Sequence, residues 1–250
     1  MNILLSRILT YLNGAFVYDD YYRFCKFVVY NYLGFEDLSL KEVVEKSGVP
    51  EDKIITFCQL LGYDGFETFQ NELLRTHMVR LDQIRARMLG VNSDQLINDM
   101  EKSCSNEEMK EYISTICEAI FKAKRVVIFG AMYPLSIAVE LQTDLITFGK
   151  PVIQYQSFDK DIVLDENDVT IFITATGRSM NTFVEIKKEL GVALTTSILI
   201  TQNRTYELDE YKISDYVLRV PGKFDGINFN YQIMTICDLL RVHYYTQYYL

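Results

Sequence analysis

Five short runs beyond residue 124 constrain this chain more than any other feature. They are KRVVIFG (124–130), PVIQY (151–155), DVTIFITATG (168–177), TTSILIT (195–201) and DYVLRVP (215–221). Each is apolar and rich in β-branched residues, and most stop at Gly, Thr or Pro. Strands buried on both faces read this way, because neither side must alternate with polar residues. Helix-like stretches at roughly 134–148 and 179–190 separate some of the runs. Strand, helix, strand in repetition predicts a doubly wound α/β domain with a parallel sheet.

The first 90 residues have a different texture, with helical spacing and no good strand. MNILLSRILTYLNGAF, at the start, carries Arg7 and Asn13 inside its apolar stretch and no small-residue cleavage site. It reads as an amphipathic helix and not as a signal peptide. The polar stretch GVNSDQLINDMEKSCSN (90–106) reads as a hinge. The expected organisation is an all-α domain over 1–78, a linker helix and hinge over 79–105, and the α/β domain over 106–250. In the last segment Ile233, Cys237, Leu240, Tyr244 and Tyr248 form one helical stripe. Core packing and a subunit interface both remain open for it.

Composition narrows the chemistry. The net charge is -9, and 49% of the residues are apolar. The acidic balance argues against a broad nucleic-acid-coating surface, but not against a small reading module. No apolar run approaches the roughly 20 residues of a membrane span. The five cysteines form no CxxC pair, and the two histidines, His77 and His243, lie far apart. Neither a metal site nor a cofactor is expected, and reduced, buried thiols suit a cytoplasmic protein.

SLKEVVEKSG (39–48) opens on Ser39, a good helix N-cap, with Glu42 three residues on as in a capping box. Gly48 stops this helix, and Pro50 suits the first turn of the next. There Ile54, Cys58 and Leu61 should face the core, leaving Lys53, Thr56 and Gln59 outward. GYDGF (62–66) turns into a third helix. Two short helices joined by a tight Gly turn have the geometry of a DNA-reading helix-turn-helix. Residues 1–78 hold seven Lys and Arg against eleven Asp and Glu, however. The later run LLRTHMVRLDQIRARM (73–88) supplies Arg75 and Arg80 as candidate phosphate contacts. The candidate DNA-binding set is therefore Ser39, Lys53, Thr56, Gln59, Arg75 and Arg80.

The string EVVEKSGVPEDKIITFCQLLGYDGFETFQNEL resembles the N-terminal domain of RpiR-type transcriptional regulators (the MurR/RpiR family). Phe57, Cys58, Leu61, Gly62, Tyr63, Gly65 and Phe66 carry the match. Thr56 stands where that family usually has Arg, and Gln59 and Leu60 stand where basic residues are usual. The segments VVIFGAMYPLSIAVELQ (126–142) and VTIFITATGRSMNTFVEIKK (169–188) look like the sugar isomerase (SIS) domain that follows in such regulators. Thr174, Thr176, Gly177, Arg178 and Ser179 match its later loop. By resemblance they would hold the phosphate of a sugar phosphate, helped by a helix N-terminus. In the first loop Gly130 remains, while Met132, Tyr133 and Pro134 replace the second Gly and the Ser positions. Gly130 and Tyr133 complete the candidate ligand set, and Pro134 removes an N–H donor.

The resemblance implies a sugar-phosphate-responsive regulator of carbohydrate metabolism. Its partners would be a double-stranded DNA operator, a sugar-phosphate effector and further copies of itself in a homodimer or homotetramer. A degenerate member, with both folds kept and weak DNA or phosphosugar binding, is the alternative. A sugar-phosphate isomerase is a poorer fit. That reaction needs a base and an acid, and neither histidine lies near the expected sheet edge. No catalytic residue is expected.

Overall fold

The computed structural model describes residues 4–91, 93–99, 105–130, 132–177, 190–207, 213–220 and 226–250. The chain divides into two compact units. One comprises Met1–Arg87 with Gln156–Asp159, the other Met88–Tyr155 with Lys160–Leu250. No described helix is long and apolar enough to cross a membrane.

The first unit is helical: α1 (Leu4–Gly14), α2 (Asp20–Tyr30), a 3-10 turn (Tyr32–Asp37), α3 (Leu40–Ser47), α4 (Glu51–Leu60) and α5 (Phe66–Met88). The N-terminal amphipathic pattern is realised in α1, which buries Leu4, Leu5, Ile8, Leu9 and Leu12. Aromatic rings fill the centre. Phe24 contacts Phe35, Phe57 and Phe69 with ring centroids 5.6–6.3 Å apart. Edge-on and tilted pairs at such spacing add to the burial of large apolar area.

The segment Gln156–Asp159 belongs to this unit through specific bonds. Lys26 Nζ lies 2.5 Å from Asp159 Oδ2, and both side chains are almost wholly buried. Tyr22 Oη donates to the same oxygen at 2.8 Å. Phe158 packs edge-on against Tyr22, and Gln156 Nε2 donates to Asn13 O.

The second unit holds α6 (Ser93–Asp99), α7 (Asn106–Lys122), β1 (Arg125–Gly130), α8 (Met132–Ile137), α9 (Val139–Thr147), β2 (Val152–Gln154), β3 (Asp168–Ile173), β4 (Thr196–Thr201), β5 (Tyr216–Arg219) and α10 (Gly226–Tyr248). All five strands pair in parallel, in the order β2-β1-β3-β4-β5. Each lies within its sequence-predicted run. The continuous apolar patterning is explained by burial: every residue of β3 is buried.

Three features differ from the sequence reading. The helix expected over 134–148 is two, because the chain turns at Ala138. The boundary expected at 78 falls inside the unbroken α5. The stretch read as a hinge contains α6, which packs on α7 and α10. The helix expected over 179–190 lies almost wholly outside the described residues.

The stripe of the last helix is core as far as Tyr244, while Tyr248 is half-buried and stacks on Phe121. Ile233, Cys237, Leu240 and Tyr244 are at most 4% exposed. Arg241 ties α10 to α9 through Asp144 Oδ2 (2.8 Å) and Glu140 Oε1 (3.2 Å). His243 is buried, and its Nδ1 meets Ser93 Oγ at 3.3 Å.

Candidate functional sites

In a parallel sheet, ligands sit beyond the carboxyl ends of the strands. Here β1, β3 and β4 end side by side at Gly130, Ile173 and Thr201. Gly130 is packed so closely that a Cβ there would meet Ile173 O at 3.3 Å. The loop after β3 is bound to its neighbour. Thr174 N donates to Ile200 O, and Gln202 N donates to Ala175 O. Thr174 Oγ1 accepts from Gly177 N at 3.2 Å, closing a tight turn. Gly177 takes φ +85°, which a side chain rarely tolerates, and a Cβ there would lie 2.5 Å from Tyr206 Oη.

The structure thus separates the candidate ligand residues by role. Thr174 is buried, and its hydroxyl already holds the turn. Thr176 and Gly177 are half-buried at the open edge. Arg178 and Ser179 lie outside the described residues, as does the side chain of Tyr133. Two further groups shape the loop and were not foreseen. Asn203 Nδ2 donates to Thr176 O at 3.1 Å. Tyr206, in the 3-10 turn Arg204–Glu207, covers Gly177, and burial pushes its hydroxyl pKa up. Both come from beyond β4, so only the strand order brings them to the loop.

A cavity of about 340 Å³ lies at the opposite, amino-terminal edge of the sheet. Glu118, Glu166 and Asp168 line it with Lys122. Its acidic character suits a phosphorylated ligand poorly. Asp168 is also committed, because Arg125 grips it with bonds of 2.9 and 3.0 Å.

In the helical unit, α3 and α4 form the expected helix-turn-helix. Ser39 and Glu42 make a full capping box, and Gly48 closes α3 in the left-handed region. In α4, Ile54, Phe57 and Cys58 are buried, and burial pushes the Cys58 thiol up to about 12. Leu61 caps the helix and is half-buried. Lys53, Thr56 and Gln59 are exposed, as their spacing predicts. Thr56 Oγ1 donates back to Asp52 O at 2.7 Å, so its proton is engaged within the helix. Ser39 is exposed, but its hydroxyl belongs to the capping box.

The basic residues divide sharply. Arg7 Nη1 donates to Leu61 O at 2.7 Å, capping the end of α4. Arg23 Nη2 donates to Ser47 O and Gly48 O at 3.0 Å, capping α3. Lys26 is buried against Asp159. Arg80 overturns its expected role: it is only 5% exposed, on the face of α5 that also buries Leu73, Thr76 and Ile84. A guanidinium there does not reach a phosphate. Arg75 is exposed and held by Glu72 with two bonds of 2.6 Å. Among the described residues, no ion pair engages Lys53.

No family model matches the chain. An uncharacterized HTH-type transcriptional regulator of Haemophilus influenzae is 24% identical over 226 residues, covering 81% of this chain and 76% of its own. That span is longer than either unit, so it draws on both. The chain is similar to a helix-turn-helix regulator across both of its units.

A solved structure of a hypothetical protein superposes with a TM-score of 0.50 at 18% identity, over 70% of this chain and 91% of its own. It shares the fold. The Vibrio vulnificus NanR protein, solved with ManNAc-6P, covers 98% of this chain and 92% of its own, at 12% identity and a TM-score of 0.47.

Proposed function

We propose that this protein is a transcriptional regulator of the RpiR type. It reads operator DNA through α4 and senses a sugar phosphate at the carboxyl edge of its sheet. One observation carries the reading: a helix-turn-helix with Lys53, Thr56 and Gln59 exposed stands in a chain whose regulator relative spans both units. Lys53 and Gln59 are the base-edge or phosphate contacts, with Arg75 added once it exchanges Glu72 for a phosphate. Thr56 offers an acceptor, since its proton is used within the helix.

The effector site is built from Gly130, the loop Thr174–Gly177 and its continuation through Arg178 and Ser179. Backbone N–H groups and hydroxyls there suit a phosphate. Asn203 and Tyr206 hold the loop in shape. The described groups that hold this loop are hydroxyls and amides, which orient a ligand. The protein acts as a homodimer or homotetramer in the cytoplasm, its two-fold symmetry matching a palindromic operator. Effector and operator then influence each other's affinity reciprocally.

A second reading, a regulator that has lost most of its DNA affinity, is favoured by the internal use of Arg7, Arg23, Lys26 and Arg80. Fluorescence anisotropy with DNA from upstream of the gene, with and without a panel of sugar phosphates, separates the two. Preference for that DNA over a scrambled duplex, altered by one of the sugars, supports the regulator. Equal, weak binding to both duplexes supports the second reading.

A further inference from the structure

The chain leaves the second unit after Tyr155 and rejoins it at Lys160, and the four residues between, Gln156–Asp159, are compact with the helices. This insertion ends on a buried charge. Asp159 is 2% exposed, and its Oδ2 accepts from Lys26 Nζ at 2.5 Å and from the Tyr22 hydroxyl at 2.8 Å. Lys26 Nζ also lies 5.8 Å from the centre of the Tyr18 ring, within reach of cation–π attraction. Phe158 seats edge-on against Tyr22, with ring centroids 5.1 Å apart. Together these residues form a clasp.

The clasp is tied to a candidate functional element at each end. On one side Tyr155 is held by β1. Its N–H donates to Ile128 O at 2.9 Å, and its ring stacks on Phe129 at 4.7 Å. Phe129 immediately precedes Gly130 of the proposed effector edge. On the other side Tyr22 and Lys26 stand one turn apart on α2, a helix capped at its start by Asp19. Another face of α2 carries Tyr21 and Phe24, whose rings lie 5.5 and 5.6 Å from Phe57 of α4. An ion pair sealed from water gains little over its two hydrated ions, because desolvation offsets the attraction. Phe158 is only half-buried, so withdrawing it exposes limited apolar area. The engaged arrangement and a withdrawn one, with both charges hydrated, are therefore close in energy.

We propose that Gln156–Asp159 is the element through which the effector edge regulates DNA reading. Occupancy beside Gly130 biases the clasp, and α2 passes that bias to α4. The inference rests on the sugar-phosphate and operator reading above and adds the two-state element that coupling between two sites requires.

The test uses the full chain. Calorimetry first identifies which members of a panel of phosphorylated hexoses and hexosamines bind. The chain has no tryptophan, so Phe158→Trp supplies a single emitter in the clasp. A saturating amount of a binder should change the quenching of that emitter by acrylamide. In the wild type the same sugar should change affinity for the upstream DNA by roughly fivefold or more. Lys26→Met with Asp159→Leu has no charges to hydrate, which fixes the clasp shut. Sugar and DNA should each still bind this double variant, but the response of one to the other should fall below about twofold.

A bound sugar that leaves the quenching of Phe158→Trp unchanged overturns the inference. So does a double variant that keeps the wild-type response, which assigns the clasp to packing alone. The quenching measurement leaves the ion pair intact, so it decides independently of how the double variant folds. If no sugar phosphate binds, or none alters DNA affinity in the wild type, the functional reading itself fails and the inference falls with it.

Discussion

The two units use their polar side chains in opposite ways. In the helical unit four of the ten cations turn inward: Arg7 and Arg23 cap α4 and α3, Lys26 grips Asp159, and Arg80 is buried on α5. At the carboxyl edge of the sheet, Thr176 and Gly177 stay half open, and the groups around them hold backbone in place. One unit has committed much of its charge to stability. The other uses hydroxyls and amides to hold a loop at an edge. A DNA-reading surface built this way must rely on few contacts, whereas a ligand loop built this way is pre-organised.

The largest expected effect tests the inward cations. Lys26→Ala leaves Asp159 buried without its ion, and breaking such a pair costs about 3–5 kcal/mol. Denaturant unfolding of the helical transition should report it. The double change Lys26→Met with Asp159→Leu should recover most of the loss, since removing both charges avoids the unpaired state.

Next comes the loop. Gly177→Ala forces a side chain into φ +85° and against Tyr206, and should cost about 1–3 kcal/mol. Tyr206→Ala in the same chain relieves the collision but not the strain. Thermal melting of the four combinations therefore measures a coupling that is not additive.

Acid should act on both units. Burial lowers the pKa of His77 and of His243 below the usual 6.5, with Lys110 adding to the effect at His243. Between those lowered values and 6.5 the unfolded chain binds more protons than the folded one. Stability is therefore full above 6.5 and falls as the pH drops through that window. Melting temperature against pH checks it, and His77→Phe should flatten part of the fall.

The smallest effect on folding should come from Lys53→Ala. An exposed side chain with no ion pair among the described residues changes stability by less than about 0.5 kcal/mol. Its consequence belongs to DNA: affinity falls, and the salt slope shrinks by about one if Lys53 meets a phosphate.

What the sequence revealed follows the range of the interactions involved. The strands were legible because burial on both faces leaves a continuous apolar run. The capping box at Ser39 and the left-handed Gly48 were legible because each is closed within a few residues. Arg80 was misread although its position was informative. It lies seven residues after Leu73 and four before Ile84, on the buried stripe of α5. The caps donated by Arg7 and Arg23 were not legible, since each spans more than twenty residues and depends on how helices pack. Asn203 and Tyr206 escaped for the same reason, because the order β1-β3-β4 brings them to the loop. The turn at Ala138 carries no glycine or proline to announce it.

The most direct test of the account is the salt dependence of DNA binding. Because most cations of the helical unit are either turned inward or paired with a neighbouring carboxylate, a dimer should neutralise few phosphates. The slope of log affinity against log salt should then be shallow, about -2 to -4. Preference for the upstream DNA should persist at the higher salt and be lost on Gln59→Ala. A steep slope near -10, with equal affinity for a scrambled duplex and no effect of Gln59→Ala, would contradict the assignment of α4 as the reading element.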